Sequence, residues 1–301
     1  MNGVVVINKP AGVTSHDVVN RVRRILGERS VGHLGTLDPL ATGVLPLVLG
    51  RMTRLAQFYT AAEKTYEGTI RLGFATDTYD AEGTPLGPAQ DIQVTLEGIR
   101  NVAAGYRGRI QQVPPPFSAK KIHGVPAYKL ARKQQEVPLA PVEVEIKEFE
   151  ILGREERDVA FRARVASGTY MRSVAHEMGQ HLGCGAHLAA LRRTALAEFT
   201  LADAHSLEDL EAAGQDGCED LLVHPRKLLP ALPAVTATEE MGAQIRVGRA
   251  VNLPEFSRAR QVKVFQGQSD LIAIATRVAG TLFHPGIVLA PQAGPEAALR
   301  R

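Results

Sequence analysis

Two prolines near residue 230 limit the folds open to this chain. Pro230 and Pro233 are separated by only two residues, and proline lacks the backbone N–H that helices and interior strands require. We therefore expect a domain boundary here. About 230 residues precede the boundary and about 70 follow it, which predicts a large domain over residues 1–232 and a small one over 233–301.

The large part mixes patterns typical of strands with patterns typical of helices. A proline run, Pro114–Pro116, cannot lie inside a regular element and opens an exposed insertion over about residues 113–140. The run Val44–Leu49 predicts a buried strand that is interrupted at Pro46, or a short strand that begins after it. Further strands are predicted at 3–8 and 64–74 and as a hairpin around Gly153, and helices at 14–27, 96–104, 170–183 and 186–196. Beyond Pro233, short β-like runs at 261–266, 271–277 and 286–289 predict a small β domain.

The composition excludes several classes of protein. A hydrophobic share of 45% and a charged share of 22% are typical of a globular domain and not of a disordered chain or a coiled coil. No apolar run reaches the roughly 18 residues of a membrane helix, and the first residues do not resemble a secretory signal. Two cysteines, Cys184 and Cys218, are too few for a disulfide framework or a structural zinc site. We expect a cytoplasmic protein with reduced thiols and no membrane partner.

The charge is unevenly distributed although the net charge is only +3. Residues 98–135 contain eight basic side chains and no acidic one, whereas residues 194–225 contain eight acidic side chains and no Lys or Arg. A polyanion would be attracted to the first block and repelled by the second. From charge alone, nucleic-acid binding and ordinary solvated faces remain about equally plausible.

One acidic residue, Asp38, lies within an apolar, glycine-punctuated stretch over residues 32–46. Pro39 restricts Asp38 to an extended conformation, and Gly35 and Gly43 permit backbone shapes that other residues resist. Such a loop can hold one carboxylate against an apolar wall. Without further context, an ordinary turn or capping role is the commoner explanation for such an Asp.

This stretch, together with five further motifs in order, resembles the TruB family of bacterial tRNA pseudouridine synthases. The motifs cover most of the chain: Asn8–Ser15, Lys64–Gly68, Pro115–Lys121, Ser167–Arg172 and Gly183–Leu188, with Gly32–Pro46 around Asp38. The resemblance implies an α+β fold with a mixed, mainly antiparallel sheet and flanking helices. It also implies a small C-terminal β barrel, a PUA domain, that contacts RNA.

The resemblance further implies the reaction. A uridine in the tRNA T loop (uridine-55) is turned out of its stack, its glycosidic bond is cleaved, and the uracil is reattached through carbon 5. No redox step occurs, so no cofactor or metal is expected. Asp38 is the implied catalytic carboxylate. Whether it attacks the sugar, attacks the base or removes a ribose proton stays open.

The motifs also assign roles to other residues. Arg172 is expected to offset the desolvation of Asp38, and Tyr66 to stack on the extruded base or take the carbon-5 proton. Tyr170 would support the pocket floor, Leu191 would supply an apolar wall, and His33 would fill the space left by the flipped nucleotide. Lys9 and Pro10 are expected to buttress the catalytic loop. Four basic residues of the insertion are expected to bind phosphates as part of a mobile clamp: Lys120, Lys121, Lys129 and Arg132.

One departure and two alternatives accompany this interpretation. Tyr79, within Asp77–Asp80, stands where the resemblance predicts a small residue. A non-catalytic RNA-binding or folding factor could use the same fold, and so could a guide-RNA-dependent relative that works within a multi-protein particle. We expect a monomer that acts on the T arm of tRNA without an obligatory protein partner.

Overall fold

The computed structural model describes residues 1–118, 139–253 and 259–290, and the backbone of a short hairpin at 121–122 and 125–126. None of the helices within these ranges has the length and apolar character needed to cross a membrane.

A ten-stranded mixed sheet forms the centre of the larger part. Its strands are β1 (Gly3–Lys9), β2 (Val31–His33), β3 (Thr42–Leu49), β4 (Lys64–Leu72), β5 (Gly108–Gln112), β8 (Val142–Glu155), β9 (Asp158–Val165), β10 (Ala186–Leu196), β11 (Phe199–Thr200) and β12 (Ala204–His205). The main path through the sheet has the order β12-β1-β3-β10-β4-β9-β8-β5, while β2 pairs with β3 and β11 with β10. The β1–β12 and β3–β10 pairs are parallel, and the other pairs are antiparallel. The hairpin strands are β6 (Lys121–Ile122) and β7 (Val125–Pro126). The predicted mixed, mainly antiparallel sheet with flanking helices is confirmed.

Four helices pack on one face of this sheet: α1 (Ser15–Leu26), α2 (Leu96–Ala104), α3 (Met171–His181) and α4 (Leu207–Gly217). The start and end of α1 follow from local chemistry. Thr14 and Asp17 form a reciprocal capping box, and Gly27 ends the helix with a left-handed φ of 61°.

The central strand β1 is buried on both faces, which explains its continuous apolar sequence. Val5 and Ile7 pack in the cluster beneath the helices. Val4 and Val6 face the opposite cluster, with the 3₁₀ helix Gly50–Tyr59. Strand β4 differs from β1, because one of its faces carries solvent-exposed ion pairs, such as the pair between Arg71 and Asp158 of the neighbouring strand β9.

Three sequence expectations about these strands are wrong. Residues 186–196 form strand β10 and not a helix, because this segment pairs with β4 on one side and β3 on the other. Strand β3 runs uninterrupted through Pro46, which is paired with Val6; its carbonyl accepts from the Leu34 N–H on the side away from β1. The hairpin turn lies at residues 156–157, while Gly153 lies at an irregularity within β8.

After Pro233 the chain forms a second, five-stranded sheet of order β13-β15-β16-β17-β14, with helix α5 (Glu239–Arg246) packed against it. Its strands are β13 (Ala234–Thr236), β14 (Val251–Asn252), β15 (Gln261–Gln266), β16 (Asp270–Ala279) and β17 (Leu282–Val288). Within the described residues the end strands β13 and β14 do not pair with each other. The small β unit is therefore present, and its pairings are those of an open sheet.

The second sheet shares an apolar cluster with the first. Phe265, Ile274 and Leu289 pack in the same cluster as Val4 and Leu55. The buried ammonium of Lys263 also donates to backbone carbonyls of the connecting segment, including that of Leu228 at 2.6 Å. The two sheets are thus joined by a common core.

Candidate active site

A cavity of about 460 Å³ opens between the loop that joins β2 to β3 and the start of α3. It brings together six of the residues that the sequence singled out: His33, Asp38, Tyr66, Tyr170, Arg172 and Leu191. These residues come from four separate segments of the chain, so their assembly depends on the fold of the sheet.

Lys9 holds the Asp38 loop through its backbone. The side chain of Lys9 is fully buried at the end of β1, and its ammonium donates to the carbonyls of Pro10, Pro39 and Ala41 at 2.8, 3.2 and 2.7 Å. Burial lowers the pKa of Lys9 to about 8. Lys9 thus links the end of β1 to the loop by hydrogen bonds to backbone carbonyls, one of which belongs to Pro10.

Arg193 holds the other half of the same loop and was missed in the sequence. Its guanidinium is buried and donates to the carbonyls of Gly35, Thr36 and Val44. A Cβ on Gly43 would lie 2.2 Å from the Arg193 carbonyl oxygen, so only glycine allows β3 to approach β10 here. The Leu-Arg-Arg run that contains Arg193 was the available signal.

Asp38 and Arg172 face each other side-on at the wall of the cavity. Nε of Arg172 lies 2.9 Å from Oδ2 of Asp38, and Nη2 donates to Oδ1 at 3.1 Å. The Arg172 side chain is only 5% exposed, whereas Asp38 keeps 37% of its side-chain surface accessible. The carboxylate is therefore fixed by the arginine yet open to a ligand in the cavity.

The rest of the Arg172 guanidinium is bound from behind, by residues that sequence reasoning did not assign. Nη1 donates to the Thr78 carbonyl at 3.1 Å and lies 3.5 Å from Oδ2 of Asp80, and Nη2 also donates to the Phe117 carbonyl. The Asp80 side chain is 5% exposed and does not line the cavity. Asp80 is thus a second carboxylate that contacts the arginine and not the cavity.

The surroundings of Asp38 make ionisation of its carboxyl less favourable than in water. Desolvation raises the pKa of its carboxyl above the usual value, the negative charge of Asp80 acts in the same direction, and Arg172 and Lys9 oppose both. Arg172 is the cation that faces this carboxylate, and the net direction of the pKa of Asp38 is nevertheless upward.

Tyr66 and Leu191 form part of the cavity wall on adjacent strands. Tyr66 on β4 lies opposite Arg193 of β10 and is 8% exposed. Leu191 on β10 is 9% exposed. Together they supply an aromatic ring and an aliphatic side chain next to the carboxylate.

His33 and Tyr170 complete the set of predicted residues in the wall. His33 ends β2, and burial lowers the pKa of its imidazole, which favours the neutral ring. The backbone N–H and carbonyl of Tyr170 are both hydrogen-bonded to the amide of Gln112 on β5. These bonds fix the segment that leads into Arg172.

Lys64 is a further cavity residue that the sequence did not single out. Its ammonium donates to the Ala62 carbonyl at 2.7 Å, and burial lowers its pKa to about 8. Its position two residues before Tyr66 in the Lys64–Gly68 motif was a signal that could have found it.

The predicted phosphate-binding side chains lie outside the described residues. Lys120, Lys129 and Arg132 are not described, and Lys121 is described only as backbone in the β6–β7 hairpin.

Within the described ranges, no group of three or more His, Cys, Asp or Glu side chains is arranged to hold a metal ion. The site therefore offers one accessible, arginine-paired carboxylate in a cavity with aromatic and aliphatic walls.

Comparisons with known proteins show to which family the chain is similar. Residues 23–171 match the family model "TruB family pseudouridylate synthase (N terminal domain)", and residues 172–230 match "tRNA pseudouridylate synthase B C-terminal domain". A tRNA pseudouridine synthase B from Solibacter usitatus is 49% identical over 293 residues, which is 96% of this chain and 100% of the relative. A protein of the same name from Opitutus terrae is 45% identical over 77% of this chain and 96% of its own length.

Solved structures share the fold at lower identity. A chain of a Cbf5-Nop10-Gar1 complex is 28% identical, with a TM-score of 0.69 over 96% of this chain and 85% of its own. A chain of an H/ACA RNP bound to a substrate RNA containing 2'-deoxyuridine is 26% identical, with a TM-score of 0.68 over the same shares.

Proposed function

The chain belongs to the TruB family of pseudouridylate synthases and forms pseudouridine in tRNA, and we propose that it does so at uridine-55 of the T loop, with Asp38 as the reacting carboxylate. The observation that carries this assignment is the Asp38–Arg172 pair. Asp38 is the one carboxylate among the described residues that line the cavity, and Tyr66 lies in the same wall.

The cavity walls suit a flipped nucleotide. A uracil turned out of the T loop loses its stacking partners, and the ring of Tyr66 offers a replacement surface. Leu191 provides apolar contact, and the neutral His33 is placed to fill the space that the base leaves in the RNA. The energy of these contacts offsets part of the cost of unstacking.

Arg172 keeps Asp38 ionised and oriented when the nucleotide excludes water from the cavity. Removal of water strengthens the desolvation of the carboxylate and also its attraction to the guanidinium. The buried Asp80 and the carbonyls of Thr78 and Phe117 prevent Arg172 from turning towards the substrate. The arginine therefore acts on the carboxylate and not on the base.

The reaction breaks the C1′–N1 bond of the uridine and forms a C1′–C5 bond; C5 loses a proton and N1 takes one up, so the product is an isomer of the substrate. Ionised Asp38 can begin it by attack on the ribose, by attack on the uracil ring or by removal of a proton from C2′. A primary isotope effect from deuterium at C2′ would assign the third route, and its absence one of the first two. Tyr66, which lines the same cavity, accepts the C5 proton through its hydroxyl, directly or through water.

RNA outside the cavity is bound by two further regions. The basic side chains Lys120, Lys121, Lys129 and Arg132 neutralise phosphates of the T arm. Residues 233–301 form a PUA-like domain that contacts the RNA beyond the T loop, while residues 1–232 form the catalytic domain. The start of the second sheet at Ala234, directly after Pro233, supports this division.

The enzyme acts as a monomer in the cytoplasm, without an obligatory protein partner. The chain is 49% identical to a tRNA pseudouridine synthase B over nearly its whole length, but only 26–28% identical to one chain of the Cbf5-Nop10-Gar1 complex and one of the H/ACA RNP. The higher identity favours an enzyme that acts alone over one that works within a multi-protein particle. Activity of the purified chain on naked tRNA supports this proposal, and a requirement for guide RNA or added proteins contradicts it.

Replacement of Asp38 tests the site. Asp38→Asn keeps the shape of the side chain and removes its charge. We expect the rate of tritium release from C5 of uridine in T-arm RNA to fall by at least about 10³-fold while RNA binding persists. Loss of the reacting group should slow the reaction more than loss of one hydrogen-bond donor that stabilises the transition state. Asp158→Asn is the matched control, because Asp158 also pairs with an arginine but lies on the exposed face of the sheet. Release at the wild-type rate from Asp38→Asn would show that the assignment is wrong.

A further inference from the structure

The side chain of Tyr79 stacks on His176 in helix α3, the helix that also carries Arg172. The two ring centroids are 3.7 Å apart and the ring planes are inclined by 13°. Tyr79 is the position at which the sequence carries a bulky residue in place of the expected small one. The stack is therefore a feature of this chain that the shared motifs do not predict.

The backbone of Tyr79 has a conformation that needs support. Its φ is +66°, in the left-handed region that non-glycine residues other than Asn and Asp seldom adopt. Its carbonyl accepts from the Leu188 N–H at 3.0 Å, and its own N–H donates to Thr76 at 3.3 Å. Such a conformation persists where the surroundings hold it, and it concentrates at functional sites.

The residues on both sides of Tyr79 bind Arg172. The Thr78 carbonyl and the Asp80 carboxylate both contact Nη1 of the guanidinium. The hydroxyl of Thr78 donates to Oδ1 of Asp80 at 2.6 Å, which makes this turn a single rigid unit. Any displacement of the turn would move both partners of the arginine together.

The position of His176 connects the stack to the same arginine. His176 follows Arg172 by four residues in α3, one turn further along the same side of the helix. The turn over residues 76–80 therefore touches α3 at two successive levels, at the guanidinium and at the imidazole. Burial lowers the pKa of His176, so a neutral ring faces Tyr79.

We propose that Tyr79 and His176 are positioning residues of this enzyme, and that their stack fixes the 76–80 turn so that Arg172 presents Asp38 correctly to the substrate. The inference rests on the proposed role of Asp38. Tyr79 and His176 do not line the cavity, so they act through the turn and the arginine and do not touch the nucleotide.

Three variants of Tyr79 separate the ring from the backbone. Tyr79→Phe keeps the stack, Tyr79→Ser removes it, and Tyr79→Gly removes it while relieving the left-handed conformation. Single-turnover rate constants for tritium release do not depend on the fraction of folded enzyme. We expect the Ser and Gly variants to lose about ten- to a hundredfold in this rate constant with KM within twofold of wild type, and Phe to retain the wild-type rate.

A second set of variants tests the pairing. His176→Ala should reproduce the loss of Tyr79→Ser, and the double variant should be no slower than Tyr79→Ser alone within twofold, because both remove one stack. His181→Ala is the matched control: His181 also lies on α3 and also contacts a tyrosine, Tyr106, but it lies away from Arg172. His181→Ala should leave the rate constant unchanged. If Tyr79→Ser fails to fold, His176→Ala carries the test.

Several results would overturn the inference. Wild-type rate constants in Tyr79→Ser, Tyr79→Gly and His176→Ala would reduce the stack to packing, and so would losses that multiply in the double variant. A loss in Tyr79→Phe equal to that in Tyr79→Ser would exclude the ring. Asp38→Asn is measured in the same assay: if it stays active, the proposed site fails, whereas if it alone is inactive, only the positioning role fails.

Discussion

Asp38 shows how a single side chain sets both the activity and the stability of this protein. Its carboxyl lies in a wall where desolvation raises its pKa, and a buried arginine compensates for only part of this effect. A group whose folded pKa is raised favours folding in its protonated form. Its contribution to stability is therefore lost as the pH rises through the folded pKa.

The raised pKa of Asp38 gives a prediction for the stability of the protein. Asp38→Asn should be at least as stable as wild type at pH 7, where the wild-type carboxylate is ionised, and Arg172 keeps Asp80 as its partner in the variant. The difference in melting temperature between variant and wild type should shrink as the pH is lowered from 7 to 4, because the raised pKa makes the folded carboxyl take up its proton before the unfolded one does. Thermal unfolding at both pH values measures it. A variant clearly less stable than wild type at pH 7 would show that the ionised carboxylate stabilises the fold.

The same pKa gives a prediction for activity. Because only the ionised form of Asp38 reacts, the single-turnover rate should fall with decreasing pH along a limb that lies above the ordinary pKa of an aspartate. Arg172→Lys keeps one positive charge but loses the side-on contact. We expect it to move this limb to higher pH and to lower the plateau rate by at least about tenfold. An unshifted limb would show that Arg172 does not control the ionisation of Asp38.

At the scale of secondary-structure elements, predictions succeeded where local chemistry decides. Helix α1 was predicted from its Thr14 cap and from Gly27, and both features are present. Strand β10 was predicted as a helix because residues 186–196 are rich in Ala, Leu and Arg, which favour helices. Pairing with two neighbouring strands overrides this preference.

The candidate site divides in the same way. Asp38, Tyr66 and Arg172 stand in recognisable motifs, so their joint presence in one cavity could be anticipated. The role of Asp80 could not, because it follows from contact with an arginine 92 positions later in the chain. The Leu-Arg-Arg run marks Arg193, but it does not reveal the partners of its side chain, which are backbone carbonyls of a distant loop.

The basic insertion provides a prediction at this scale. Lys129→Gln combined with Arg132→Gln should raise the KM for T-arm RNA with little change in kcat, because phosphate contacts bind ground state and transition state alike. The slope of log binding constant against log salt should fall in magnitude by about 1 to 2, from the loss of two phosphate contacts. Binding measured from low to moderate salt tests this, and an unchanged slope would place these side chains away from the RNA.

The molecule as a whole is held together by an apolar cluster that spans both sheets. Phe265 and Ile274 of the second sheet pack with Leu55 and Phe199 of the first part. Hydrogen bonds add to this packing: the carboxylate of Glu198 accepts from the Tyr59 hydroxyl and from the Leu229 N–H. Because the cores are continuous, the second sheet should not unfold on its own.

This continuity predicts one unfolding transition. Calorimetry should give a single cooperative peak. Phe265→Ala, at a fully buried position in the shared cluster, should lower the free energy of unfolding by about 3–5 kcal/mol, and the calorimetric peak should stay single. Phe283→Ala is the comparison, because Phe283 packs within the second sheet only. Two separate transitions in the wild-type protein would show that the sheets are independent.

The central claim is that this chain alone converts one T-loop uridine through Asp38, and mapping of pseudouridine in tRNA tests it most directly. Purified protein is added to total tRNA that lacks the modification, and every new pseudouridine is located. We predict a single new pseudouridine, at uridine-55, with wild-type protein and none with Asp38→Asn. Pseudouridine at other positions, a requirement for a guide RNA, or modification by the Asp38→Asn variant would contradict the account.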